Sequence, residues 1–293
     1  MPAASTISSS NLNALSKLIS NAGFQRLAVQ NDFKEYGKQM KKLLKKTGVE
    51  LKEKHTLKDI INTSYSHLSK YYRHEYLYKS ALLNSYVLNN YSLSDTILLN
   101  EFKIGSSKAD AVLVNGTNKV FEIKTELDSP ERLATQLADY YKVFNQVYLV
   151  VHHTLVNKYI ALVNDKVGLM VFNDSVVTTY REAIADDTAI DRTAMIKALR
   201  KDEYLRLVLR LNGSIPQVAP VALFKACLNV LTHYAVDEVH HEFLHIIKER
   251  ISETANAHVL SSDLPEIIKF SCYHSNFTQN DYIGLIKKLN YQF

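Results

Sequence analysis

The residue types best suited to chemistry in this 293-residue chain lie between positions 107 and 140. Asp110 interrupts the apolar run Ala109-Asp110-Ala111-Val112-Leu113-Val114. The turn Asn115-Gly116-Thr117-Asn118 follows, then Lys119-Val120-Phe121-Glu122-Ile123-Lys124-Thr125. Both runs read as strands, and Asn-Gly between them is a hairpin signal. Glu122 and Lys124 are two apart and share one strand face, while Phe121 and Ile123 point to the other, into a core. A hairpin brings Asp110 beside them, and an aspartate in an apolar strand is costly without a partner. Two carboxylates and an amine on rigid strands make a divalent-metal site with a built-in cation. That set suits phosphodiester hydrolysis, which is extremely slow in water. Carboxylate oxygens hold Mg²⁺ (or Mn²⁺) without dehydrating it completely. The ion generates a nucleophile from water and offsets charge on the phosphoryl oxygens. Asp110 and Glu122 are the expected ligands, with the backbone carbonyl of Ile123 as a further one. Lys124 is expected to orient the attacking water and stabilise the developing anion.

Asp110 followed by Glu122-Ile123-Lys124 after one strand and a turn resembles the PD-(D/E)XK nuclease superfamily, the restriction-endonuclease-like fold. Ala109 stands where that pattern usually has proline. Downstream, Gln136 and Tyr140 form Q-x-x-x-Y on an expected helix from Ser129 to Phe144, similar to the RecB-like and Cas4-like branch. There the resemblance implies that Gln136 positions the attacking water or the substrate. The run from Gly105 to Val151 also resembles a group of small uncharacterised bacterial and phage proteins of this superfamily. In those, acids, Glu-Arg-Leu and a glutamine follow a Glu-Ile-Lys strand, as Glu126, Asp128, Glu131-Arg132-Leu133 and Gln136 do here. Many superfamily members carry a glutamate on the helix before the core strands. Glu75 is the counterpart here, to bind a second metal ion or a water on the first, and Glu101 is a weaker candidate. The resemblance covers the middle of the chain.

The elements needed to hold these residues can be read outward from the hairpin. Strands are expected at 96–104, 108–114 and 119–125, then the Gln136 helix, then a strand over Gln146 to Val151. Tyr159 to Val163 and Val167 to Phe172 suggest further elements at the sheet edge. This order predicts an α/β fold, a restriction-endonuclease-like core with a mixed sheet flanked by helices. The chain divides into a short disordered lead over 1–11, a basic helical region over 12–60, the nuclease-like core over 61–185, and a helical region over 186–293. In the last, helices are expected at 192–211, 220–235, 236–255 and 279–290, with Pro220 well placed to start one.

Composition bounds the partners. The formal charge is +5, with Lys and Arg outnumbering Asp and Glu 35 to 30, a mild bias compatible with a polyanion. Lys41, Lys42, Lys45 and Lys46 concentrate the positive charge, and tyrosines follow them closely. Lysines attract phosphate and tyrosines stack bases. These lysines, with Lys108, Arg132 and Tyr140 beside the acids, are the expected nucleic-acid contacts, DNA being favoured and a homodimer being a second partner. Two cysteines exclude a disulfide framework and Cys-x-x-Cys is absent. The N-terminus has no apolar core of a signal peptide and no run is long enough to span a bilayer, so a cytoplasmic protein is expected.

Two alternatives belong to other classes. One is a nucleic-acid-binding module with a catalytically silent core. The other is a zinc metalloprotease through His241-Glu242-Phe243-Leu244-His245, where the histidines share a helix face, Glu242 is the base, and Glu253 or Glu266 is the third ligand.

Overall fold

The computed structural model describes residues 8–251, 259–260 and 263–293. Residues 1–7 of the expected lead, and Glu253, lie outside them; residues 9–11 of that lead are helical rather than disordered. The N-terminal half opens with α1 (Ser9–Leu18), α2 (Asn21–Ala28), α3 (Phe33–Lys46), α4 (Leu57–Tyr71) and α5 (Glu75–Ala81). α5 runs on through a π-helical stretch (Leu82–Val87) into α6 (Leu88–Asn90). Then come β1 (Ile97–Ile104), β2 (Ser107–Val114), β3 (Asn118–Lys124), α7 (Leu133–Tyr141), β4 (Gln146–His152), α8 (Val156–Ile160), β5 (Gly168–Asn173) and β6 (Val176–Arg181). The chain closes with α9 (Arg192–Ala198), α10 (Lys201–Asn212), α11 (Pro220–Leu231), α12 (Val236–Lys248), α13 (Glu266–Tyr273) and α14 (Gln279–Leu289).

The fold is α/β. Six strands form one mixed sheet in the order β1-β2-β3-β4-β5-β6. β1, β2 and β3 are antiparallel neighbours, β3, β4 and β5 run parallel, and β6 returns antiparallel. Each parallel step needs a crossover, supplied by α7 and then α8. Alternation along β3 sends Phe121 and Ile123 to one face and Val120, Glu122 and Lys124 to the other, as the sequence predicts.

Two helical layers cover the sheet. Phe121, Ile123, Tyr148 and Val150 share a core with buried residues of α1–α5, α13 and α14. Val120, Val147 and Phe102 share one with α7 and α9–α12. The region 186–293 therefore has no core of its own among the described residues: its first helices close one face and its last two join the N-terminal helices on the other. The ends meet directly, where Leu57 N–H donates to the Tyr291 carbonyl and Phe293 N–H to that of His55.

The elements depart from expectation where local chemistry overrides periodicity. The expected helix from Ser129 starts only at Leu133. Pro130 biases Ser129 away from helix, and Asp128 accepts from the Thr125 backbone N–H and hydroxyl, holding a turn. The expected helix 192–211 breaks at Leu199, whose ψ is 150°. β6 and α13 were not expected.

Candidate functional site: where the hairpin ladder opens

The β2–β3 ladder stops at Ala111 opposite Phe121, so the next residues in register, Asp110 and Glu122, face each other where it opens. The cause lies in the β1–β2 hairpin. Along β1, Ile97 and Leu99 join one core and so do Phe102 and Ile104, so the alternation slips between them. β2 slips at the same level, with Val114 and Val112 and then Ala109 on that face. The pivots are Glu101 and Asp110, which lie opposite each other between the pairs Asn100–Ala111 and Phe102–Ala109. Glu101 has φ 57°, a left-handed conformation uncommon for a residue with a side chain. Glu101, Asp110 and Glu122 thus form one cross-strand row of carboxylates.

At the opening Asp110 takes over a ladder bond. The Ile123 N–H donates to Asp110 Oδ2 at 2.7 Å. An extended residue sends its N–H and C=O to the same edge, so the Ile123 carbonyl also faces the gap toward β2.

Glu122 is the hub on the other side. It is 3% exposed and Lys124 6%. Lys124 Nζ donates to Glu122 Oε1 at 2.7 Å and to Gln136 Oε1 at 3.0 Å. Gln136 Nε2 donates to the same Glu122 oxygen at 2.6 Å, and the Tyr140 hydroxyl to Glu122 Oε2 at 2.5 Å. Burial and the Glu122 carboxylate push the Tyr140 phenol up, so it remains a donor. Gln136 and Tyr140 reach one carboxylate because residues four apart share a helix face. Asp139 pins α7 to the β1–β2 turn by accepting from Ser107 and Ser106 at 2.8 and 3.1 Å. Tyr140 itself is fully buried. This corrects its assignment as a nucleic-acid contact: its ring packs in the core and its hydroxyl holds Glu122.

Glu75 stands at the start of α5 and pairs with Lys79 at 2.5 Å. Arg73 turns instead to Glu126, at 2.6 Å. Lys79 is buried and also donates to Asn100 Oδ1 at 2.9 Å. Its signal in the sequence is its setting among Leu77, Tyr78, Ala81 and Leu82, all buried. Lys108 is exposed and pairs with Glu101 at 2.9 Å, which raises its ammonium. Arg132 is exposed one turn before Gln136.

The basic cluster lies elsewhere. Lys41, Lys42, Lys45 and Lys46 are exposed on α3. Lys41 and Lys45 line a shallow cavity of about 270 Å³ with Lys52 and His55, at the start of α4. Arg73 and Glu75 follow the other end of that 15-residue helix, about 20 Å along its axis at 1.5 Å per residue. The expectation that these lysines adjoin the acids is therefore not met.

The donor set fits a hard divalent cation. Burial, the Glu122 carboxylate and the Glu75 carboxylate push the Asp110 carboxyl up to about 8, against Lys79 and the Ile123 N–H. A cation between Asp110 and Glu122 would relieve that crowding. Among the described residues no group of three or more His, Cys, Asp or Glu is arranged to hold a metal. Two carboxylates and the Ile123 carbonyl would leave the remaining positions to water, which Mg²⁺ favours.

The histidine pair offers less. His241 and His245 face each other, Nε2 to Nε2 at 3.2 Å, but Glu242 is bound to Arg210. Glu266 starts α13, whose buried residues belong to the core on the opposite face of the sheet from α12. It therefore supplies no third ligand. The neighbouring His240 is buried with Nε2 on the Val143 carbonyl.

Comparison with known proteins shows the family. Residues 68–268 match the family described as bacteriophage P4 protein cII. The chain belongs to that family. The stretch runs from the end of α4 into α13 and contains every residue of the carboxylate row and of the Glu122 hub. The protein cII of Enterobacteria phage P4 is 26% identical over 190 residues, 62% of this chain and 66% of that protein. This cII-family chain thus matches just under two thirds of its relative's length. Among solved structures, the SPO1766 protein of unknown function from Silicibacter pomeroyi aligns with a TM-score of 0.29 and 13% identity. It covers 41% of this chain and 82% of its own. A likeness at that level says nothing further about the cII-family fold.

Proposed function

We propose that this cII-family protein is a metal-dependent nuclease with a restriction-endonuclease-like core, hydrolysing phosphodiester bonds of DNA. The observation that carries the reading is the convergence of Lys124, Gln136 and Tyr140 on Glu122, opposite Asp110, where the ladder opens. A solvated surface strand would have no need of such a hub. Mg²⁺ or Mn²⁺ held by Asp110, Glu122 and the Ile123 carbonyl would supply Lewis acidity toward water and phosphoryl oxygens. Tyr140 and Gln136 fix the Glu122 carboxylate. Lys124 has three donors and spends two on Glu122 and Gln136, leaving one for a water or a phosphoryl oxygen. Lys108, two residues from Asp110, and Arg132, one turn before Gln136, are exposed and would meet phosphates. The phage origin of one relative fits a role in, or defence against, a mobile element.

Asp110→Ala, Glu122→Ala and Lys124→Ala are each expected to abolish metal-dependent DNA cleavage while leaving the far-ultraviolet circular dichroism unchanged. Normal cleavage by folded variants contradicts the reading. Salt-sensitive DNA binding with no product in any metal favours a silent binding module instead.

A further inference from the structure

Glu75, Glu101 and Asp110 come from α5, β1 and β2, and one atom lies among them. Lys79 Nζ is 2.5 Å from Glu75 Oε1, 3.9 Å from Glu101 Oε1 and 4.0 Å from Asp110 Oδ1. It donates to Asn100 Oδ1 at 2.9 Å. The Lys79 side chain is 4% exposed. Glu75 and Asn100 bind the ammonium directly and two further carboxylates lie within 4.0 Å of it; all are oxygen donors of the kind a hard cation takes, and here they are gathered about a tethered ammonium rather than spaced as metal ligands.

We propose that Lys79 is a resident cation, occupying the position a second divalent ion would take, so that the site binds one metal ion. The inference rests on the nuclease reading above. It also reassigns Glu75, which serves Lys79 rather than a metal. A buried ammonium is stable only when paired and hydrogen-bonded, and each of its neighbours here is an oxygen. Without it, Glu75 and Asp110 would lose the buried cation they face and Glu101 would keep only the exposed Lys108, a crowding that a captured ion would relieve. An ion has a route to the position. A cavity of about 420 Å³ opens onto it, lined in part by Gln25, His74, Glu75, Lys79 and Glu101. His274, also on that wall, has Nδ1 2.9 Å from the Phe270 carbonyl and Nε2 2.9 Å from the Leu98 carbonyl.

The test is Mn²⁺ binding to the full chain, counted by calorimetry and by the electron paramagnetic resonance of free Mn²⁺. Wild type is expected to bind one ion. Lys79→Met, which keeps the buried stem and removes the charge, is expected to bind two and to gain more thermal stability from Mn²⁺ than wild type does. Lys79→Arg is expected to bind one. Glu75→Gln, which does not depend on the fate of the lysine variants, is expected to keep one ion with affinity changed less than about threefold. One ion on a folded Lys79→Met, or loss of the ion in Glu75→Gln, overturns the inference and leaves the nuclease reading standing. Two ions on wild type overturn the inference alone. No ion on any of the four overturns both.

Discussion

Ionised Asp110 is the form a divalent cation would meet, and the surroundings oppose that form. Burial, Glu122 and Glu75 raise its carboxyl to about 8 from the ordinary 3.8. The folded state therefore binds more protons than the unfolded state between those values. Its contribution to the metal-free protein is fully present below pH 4 and is lost as pH rises through about 8. Asp110→Asn is expected to remove that slope and to stabilise the metal-free protein at pH 8.5 by on the order of 1–3 kcal/mol. Melting temperatures from pH 5 to 9 check it, and parallel curves for the two proteins contradict it. Wild-type Mn²⁺ affinity should rise with pH up to about 8, since the cation displaces a proton. Tyr140→Phe removes a charge-assisted bond to Glu122 and is expected to cost about 1.5–3 kcal/mol of stability, measured by urea unfolding. At this scale much was legible. Asp110 stands out because it breaks an apolar run, and Glu122 and Lys124 because of period-two spacing. Lys79 was legible only in part: Glu75 stands four residues before it on α5, but the other oxygens around it come from β1 and β2 and leave no trace in that spacing.

Glu101 and Asp110 show how an element can make a site. Two strands that switch faces at the same level keep their register, and the third strand loses its partner there. Glu101 holds the switch at φ 57°, a conformation costing about 1–3 kcal/mol for a non-glycine residue. Glu101→Gly relieves that strain while losing only the partly exposed pairings with Lys108 and Lys79, so its stability is expected within about 1 kcal/mol of wild type. Glu101→Val, β-branched at positive φ, is expected to cost about 2 kcal/mol or more. Equal losses in the two, by urea unfolding, contradict the strain argument. Strand positions were legible from alternation and from Asn115-Gly116, whose glycine adopts φ 94°. β6 was not, because its hairpin turns through Asp174 and Ser175 at φ 46° and 71° without a glycine to announce it, and because Val177 is its one buried residue. The face switch was equally hidden, since no residue type marks it.

The whole molecule is one sheet between two helical layers, and the layers draw on both ends of the chain. The α9–α12 layer covers Phe102, Phe144 and Val147. Truncation after residue 185 would bare that face, and the shortened chain is expected to aggregate or to lose its cooperative melting transition. A soluble 1–185 fragment with a sharp transition contradicts the shared core. Chain composition could not show this, since helix periodicity over 192–290 tells which residues are buried but not against what. Nor could it show that the lysines of α3 stand a helix length from the acids; their closeness in sequence to Glu75 is undone by α4. No helix among the described residues is long and apolar enough to cross a membrane. The most direct measurement is incubation of the purified full chain with supercoiled and linear, single- and double-stranded DNA in Mg²⁺, Mn²⁺ or EDTA, beside Glu122→Gln. The nuclease account predicts metal-dependent products from wild type, none in EDTA, and a rate at least 10²-fold lower in the variant. Equal cleavage by the two proteins, or no cleavage of any substrate in either metal, contradicts it.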